Sequence, residues 1–282
     1  MKSSGWRIAL ITTVPPVAAA MVPFLQQLQH DPVAVISARR RQPAPAGRQP
    51  MGDETAPPGV DVLLAKDKWS VEPLLRATNP DLALCWGFPW RIPQSALDVP
   101  PLGSVNCHPA MLPRHRGPIP LAWAFRDGDN EFGVTWHRMD ANLDTGAILA
   151  QAPVPMLDDD FGIDVVGPRM GAVALGLLPQ VFARIAAGDP GDPQPTEGVT
   201  WAGHFEEDYA TVDWTQPARK IHDQVRAWAF TFDLSRVVGP VAEIEGKRVR
   251  LVRTSLTDPG GDATRVEAGD GPLWVIEAEP LA

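Results

Sequence analysis

Hydrophobic and polar positions along this chain fall into two alternating spacings. Residues 6–12, WRIALIT, form a compact run of branched apolar side chains, the pattern of a strand buried on both faces. Residues 17–29 carry apolar positions at helical period, and residues 32–38 return to a strand run. Strand, helix and strand in quick succession predict a βαβ unit. The same grammar continues with strands at 60–65, 80–88 and 103–108, a helix at 70–79, a helical turn at 92–100 and a helix at 119–129. Residues 131–139 alternate and open into a loop at 140–149, and a helix over 164–187 closes the series. Residues 186–200, AAGDPGDPQPTEGVT, have the composition of a linker. Beyond it the pattern predicts a helix at 214–230 started by a Thr cap, a hairpin at 241–256 turning at Glu245–Gly246, and a last strand at 271–281. The expected architecture is α/β, with a Rossmann-like, mostly parallel sheet in residues 1–187, a linker at 188–204 and a small β-rich domain at 205–282. The turn after the first strand, TTVPPV, has no GxGxxG, so a dinucleotide lacks its usual cradle.

Composition narrows the function classes. The net charge of −9 gives non-specific nucleic-acid binding no help from the overall field. Two cysteines make no disulfide framework and fit a reducing, cytoplasmic setting. No uninterrupted apolar stretch approaches about 18 residues, so no membrane span is expected. The N-terminal apolar run reads as a strand rather than a signal peptide.

The stretch NCHPAMLPRHRG, residues 106–117, concentrates the candidate chemistry. Side chains alternate along a strand, so Asn106 and His108 share one face and Cys107 takes the other. A Cys–His nucleophilic pair therefore fails on geometry, and Cys107 reads as a small buried apolar residue. His108, His115 and His137 lack zinc-ligand spacing and the chain has no CxxC or HExxH, so no metal is expected. An amide and an imidazole projecting together from a strand end suit acyl transfer. The amide stabilises a developing oxyanion and the imidazole takes a proton. Either Asp140 or Asp144 in HRMDANLDTG could supply the carboxylate that orients the imidazole, and spacing does not choose between them.

The segment from Asn106 to Gln151 resembles the signature region of the 10-formyltetrahydrofolate-dependent formyltransferases, through its Asn-x-His, LPR-x-RG, G-x-T-x-H-R-M and LDTG motifs. The resemblance extends upstream through NPDLALCWGF. Downstream, VDWTQPARKIHDQVRA looks like the start of the C-terminal domain of the methionyl-tRNA formyltransferase branch. It implies a triad of Asn106, His108 and Asp144, and 10-formyltetrahydrofolate as co-substrate. The pterin is then expected near Trp86, Gly87, Phe88, Met139 and Asp140. Arg114 and Arg116 are candidates for a substrate phosphate or the folate glutamate, or simply a solvated loop face. His137 and His222 read as structural. Ala110 stands where the family commonly has Ser, which removes one hydroxyl near the site.

The family formylates methionyl-tRNA, nucleotide-carried amino sugars and small amines, and some relatives hydrolyse the formyl folate. Residues 201–282 hold nine Lys/Arg against fourteen Asp/Glu, an unsuitable balance for clamping a tRNA backbone. That part also reads as a truncated OB-like fold, too short after its hairpin for a complete five-stranded barrel. Against this, the basic loop RRRQPAPAGR at 39–48 is similar to the insertion that methionyl-tRNA formyltransferases use near the acceptor stem. The expectation is an N-formyltransferase acting on a small-molecule amine, a hydroxyornithine-type amino acid or an amino sugar. The alternatives are methionyl-tRNA formyltransferase, 10-formyltetrahydrofolate hydrolase and a non-catalytic folate-binding protein.

Overall fold

A computed structural model describes residues 5–39, 51, 55–231 and 239–281. The basic loop anticipated at 39–48 lies outside the described residues except for Arg39. The chain divides into two compact units whose segments interleave along the sequence. The first comprises residues Met1–His108, Val134–Ala152 and Gly171–Glu197; the second comprises Pro109–Gly133, Pro153–Met170 and Gly198–Ala282.

The large sheet begins with β1 (Arg7–Ile11), β2 (Asp31–Ala38), β3 (Val62–Ala65), β4 (Leu82–Cys85) and β5 (Ser104–His108). It is completed by β6 (Glu131–Arg138) and β7 (Ile148–Pro155), in the order β3-β2-β1-β4-β5-β6-β7. The first five strands run parallel, and β6 lies antiparallel to β5. The central runs are apolar because both faces are covered: Ile8, Ala9, Leu10, Ile11, Leu82 and Leu84 are all buried. Helix α1 (Pro15–Gln27) starts on two prolines, tolerated there because the first turn has no intrahelical acceptor to lose. Helix α2 (Val71–Thr78) ends at Asn79 in the left-handed region, and α3 (Gln94–Leu97) is the short turn expected before β5.

Strand β7 is absent from the sequence expectation. Its Pro153 and Pro155 argue against a central strand, but β7 is the edge of the sheet, where proline costs no ladder bond. Helix α4 (Pro120–Arg126) and helix α5 (Ile163–Ala186) follow expectation closely. By length and composition α5 could cross a membrane. Its buried positions, Val166, Met170, Ala174, Leu178, Val181 and Ile185, form a single stripe at helical spacing, as in a helix packed on one side.

In the second unit, α6 (Ala218–Ala229) begins later than the Thr cap predicts. Thr215 instead closes a turn on Asp213, donating from its backbone N at 3.0 Å and its hydroxyl at 2.7 Å. The helix is capped from a distance, the Ala218 N–H donating to Asp270 Oδ1 at 2.7 Å. Ile221 and Val225 pack on Leu251, Leu273 and Val275 of a four-stranded antiparallel sheet. Its strands are β8 (Val241–Ile244), β9 (Lys247–Ser255), β10 (Thr264–Ala268) and β11 (Gly271–Pro280), in the order β10-β11-β9-β8. The β8–β9 hairpin turns at Glu245 and Gly246, both at positive φ, as a two-residue loop requires. Strand β10 and the short 3-10 turn at Glu207–Ala210 are elements that the sequence pattern did not reveal.

Candidate active site

Asn106 and His108 lie on β5, in register with Cys85 of β4 on one side and with His137 and Thr135 of β6 on the other. Asn106 is half-buried and His108 buried. Asp144 is also buried, in the loop after β6, with φ at +56° in the left-handed region. That strain is held by the surrounding chain. Arg138 N donates to Ala147 O at 2.8 Å and closes the loop. A Cβ on Gly146 would lie 1.8 Å from Arg138 O, so only glycine fits there. Gln194 Nε2 donates to Asp144 O at 2.9 Å and to Gly146 O at 2.8 Å, tying the loop down. Gln194 belongs to the segment read from sequence as a linker.

The side chains converge around Asp144. His108 Nδ1 lies 3.5 Å from Asp144 Oδ2. Asn106 Nδ2 lies 3.4 Å from Asp144 Oδ1 and 3.2 Å from His137 Nε2. His137 Nε2 itself is 3.5 Å from Asp144 Oδ1. His137 Nδ1 lies 2.8 Å from the Arg138 carbonyl, which can only accept, so Nδ1 carries a proton, and in the neutral tautomer this selects, Nε2 is the acceptor for the Asn106 amide. That fixes the amide with its NH2 toward His137 and Asp144. His137 reads from the sequence as structural, and that reading did not name its contact with the Asn106 amide. The signal was available: in an antiparallel pair the residue opposite Asn106 shares its face.

The two thiols are excluded as nucleophiles. Both are buried, and desolvation pushes Cys85 up to about 12, with the Asp144 charge adding to the effect. Burial likewise raises Cys107 far above the ordinary thiol range. Among the described residues, no group of three or more His, Cys, Asp or Glu side chains is arranged to hold a metal ion.

The remaining candidates take distinct roles. Trp86 is buried edge-on against Trp136, and Phe88 packs edge-on against Trp90. Gly87 has φ at +67°, and its carbonyl accepts from the Thr13 hydroxyl at 2.8 Å. Met139 packs on the core beside β4. Asp140 organises its own loop, accepting from Asn142 N at 2.8 Å and the Thr145 hydroxyl at 2.7 Å. In the second unit, Arg114 is ion-paired with Asp129 at 2.8 Å, and the same carboxylate holds His115 Nε2 at 2.8 Å. The Arg116 backbone pairs with residues 200–202, donating to Thr200 O at 3.0 Å.

Residues 1–170, more than half the chain, match the family described as formyl transferase. A methionyl-tRNA formyltransferase from Pelobacter propionicus is 31% identical over 280 residues, covering 91% of this chain and 84% of that protein. Among solved structures, HypX from Aquifex aeolicus superposes with a TM-score of 0.71 at 19% identity, over 99% of this chain and 45% of that one. The N-formyltransferase from Helicobacter canadensis, solved with folinic acid and dTDP-3-aminofucose, gives 0.67 at 16% identity over 98% and 99% of the two chains. At these identities the two structures speak for a common fold. The family match and the sequence relative go further, and on them the chain belongs to the formyl transferase family.

Proposed function

We propose that the chain is an N-formyltransferase that moves the formyl group of 10-formyltetrahydrofolate to the amine of a small molecule, with Asn106, His108 and Asp144 as its catalytic groups. The observation that supports this is the convergence of those three side chains at one end of β5. The acceptor amine attacks the formyl carbon, whose oxygen becomes an oxyanion. Asn106 donates to it, the long 3.4 Å contact to Asp144 being the one given up. With Nδ1 turned to Asp144, His108 takes the amine proton at Nε2. The intermediate then collapses: the bond from carbon to the folate N10 breaks, and the proton goes to N10. We assign the pterin to Trp86, Gly87, Phe88, Met139 and Asp140, and the chemistry to a catalytic domain at 1–187 ahead of the linker at 188–204 and the domain at 205–282.

Charge favours a small acceptor over tRNA. Residues 201–282 carry fourteen acidic side chains against nine basic ones. Several of the basic ones are already paired: Arg219 with Asp158 at 2.6 Å, Arg250 with Glu279 at 2.7 Å, Arg265 with Glu267 at 2.6 Å. Such a surface has little to offer phosphates. The second reading is methionyl-tRNA formyl transfer, favoured by the name of the Pelobacter relative that matches nearly the whole chain. Tetrahydrofolate release is measured with candidate amines, with charged initiator tRNA and with neither. Dependence on a small amine is expected. Dependence on the charged tRNA selects the second reading, and release without any acceptor means hydrolysis.

A further inference from the structure

Strand β6 pairs with β5 so that Thr135 stands opposite His108 and His137 opposite Asn106. Directly opposed residues of an antiparallel pair share a face, so these side chains occupy one surface of the sheet. Their neighbours Cys107 and Trp136 take the other surface. There Trp136 is buried and donates Nε1 to Ala174 O of α5 at 2.9 Å. The helix therefore packs on the surface opposite the reactive groups.

On the reactive surface, the level of His108 continues outward across the sheet. Strand β7, the edge of the sheet, lies next to β6, and the Thr135 hydroxyl donates to Gln151 Oε1 on β7 at 2.9 Å. His108, Thr135 and Gln151 thus form a row over three adjacent strands. At about 4.8 Å per strand the row is roughly 10 Å wide at the backbone. His108 and Thr135 are buried and Gln151 is exposed, so the row leads from the imidazole to solvent at the sheet edge.

The amide of Gln151 is held for a purpose that stability does not supply. Ordering an exposed glutamine costs rotamer entropy, yet here a wholly buried hydroxyl fixes it. With Oε1 turned to Thr135, the other branch of the amide, Nε2, makes no hydrogen bond among the described residues. It is a prearranged neutral donor on the face of His108. Two N–H groups without a lone pair select an oxygen and offer nothing to a second ammonium.

We propose that Gln151 is a specificity-determining residue. Its Nε2 donates to an oxygen carried a few bonds from the amine of the formyl acceptor, while His108 takes the amine proton. Thr135 is the positioning residue that aims the amide. This rests on the formyl-transfer reading and narrows the small amine to one that bears a hydroxyl or carbonyl oxygen near its nitrogen.

Transfer from 10-formyltetrahydrofolate is measured with three amines of equal length, 3-aminopropan-1-ol, butylamine and 1,3-diaminopropane. Binding of 5-formyltetrahydrofolate is followed calorimetrically in parallel. The parent chain is expected to prefer the amino alcohol to butylamine in kcat/KM. Gln151→Leu should cut that preference roughly tenfold, the size of one lost hydrogen bond, through the KM for the amino alcohol. Gln151→Glu keeps an acceptor for the buried Thr135 hydroxyl and loses the donor. It should therefore fold and shift the preference from the amino alcohol toward the diamine. Thr135→Val should lose part of the preference with Gln151 still in place. An equal fall with all three amines is the mark of a structural residue and overturns the assignment. A parent chain that binds folate but shows no preference for the amino alcohol, or no transfer to it, also overturns the assignment and leaves formyl transfer standing. Absent folate binding overturns the formyl-transfer reading itself.

Discussion

Two buried histidine clusters in this protein are held at different distances from their partners. Around Asp144, the contacts of Asn106, His108 and His137 run from 3.2 to 3.5 Å. Around His222 of α6, both ring nitrogens sit at 2.9 Å, Nδ1 accepting from the Thr254 hydroxyl and Nε2 donating to Asp158 O. Phe161 covers the ring edge-on. Burial, reinforced by Arg226, lowers the His222 pKa to about 4, so it is a neutral strut. Hydrogen bonds weaken steeply with length, so the long contacts at Asp144 are inexpensive to exchange for a reacting group. Saturation makes His222 structural, whereas the role proposed for His108 requires a contact that a reacting group can replace.

The sharpest way to break this contrast is to remove the available pair. His108→Ala and Asn106→Ala should each lower kcat by roughly 10²- to 10⁴-fold, with melting temperatures close to the parent protein. Tetrahydrofolate release and thermal melts read both, and full activity in either variant removes that residue from the catalytic assignment.

Acid should expose the other cluster. His222 titrates near 4 when folded and near its ordinary 6.5 when unfolded, so between those values the unfolded chain binds the extra proton. The stability tied to neutral His222 is complete above pH 6.5 and drains as pH falls toward 4, reaching about 3 kcal/mol. Urea unfolding at stepped pH should show that loss, and His222→Gln should be less stable at pH 7 with a shallower acid slope. A slope equal to that of the parent chain contradicts the neutral-strut assignment.

Between these extremes stands His137. His137→Phe should cost roughly tenfold in kcat with little change in the KM for folate, because the Asn106 amide loses the acceptor that orients it. His137→Gln, whose carbonyl can accept the same hydrogen, should recover part of the loss. A merely structural residue would lower stability without that kcat recovery. The smallest effect belongs to Cys107→Ala, which should leave kcat unchanged and cost about 1 kcal/mol of stability. Any large fall in kcat would return the buried thiol to consideration.

The parallel core was legible because Ile8 to Ile11 and Leu82 to Leu84 are unbroken apolar runs, which only doubly covered strands produce. Strict alternation along residues 104–108 likewise puts Asn106 and His108 on one face by sequence alone. What stayed hidden depends on pairings between distant residues. Spacing could not choose Asp144 over Asp140; the family resemblance did. In the folded chain Asp140 spends its oxygens on Asn142 and Thr145, while Asp144 turns inward at positive φ. Strand β7 was obscured by prolines that only an edge tolerates, and the cap of α6 comes from Asp270, 52 residues beyond the helix start.

The two bonds from Gln194 also bear on how the chain can be divided. A fragment ending at residue 187 keeps Asn106, His108 and Asp144, yet it discards the amide that fastens Asp144 O and Gly146 O. Such a piece would lose two hydrogen bonds that hold the loop of Asp144 in place. Any minimal enzyme engineered from this protein therefore has to run past Gln194, and a fusion partner or protease site belongs after that residue.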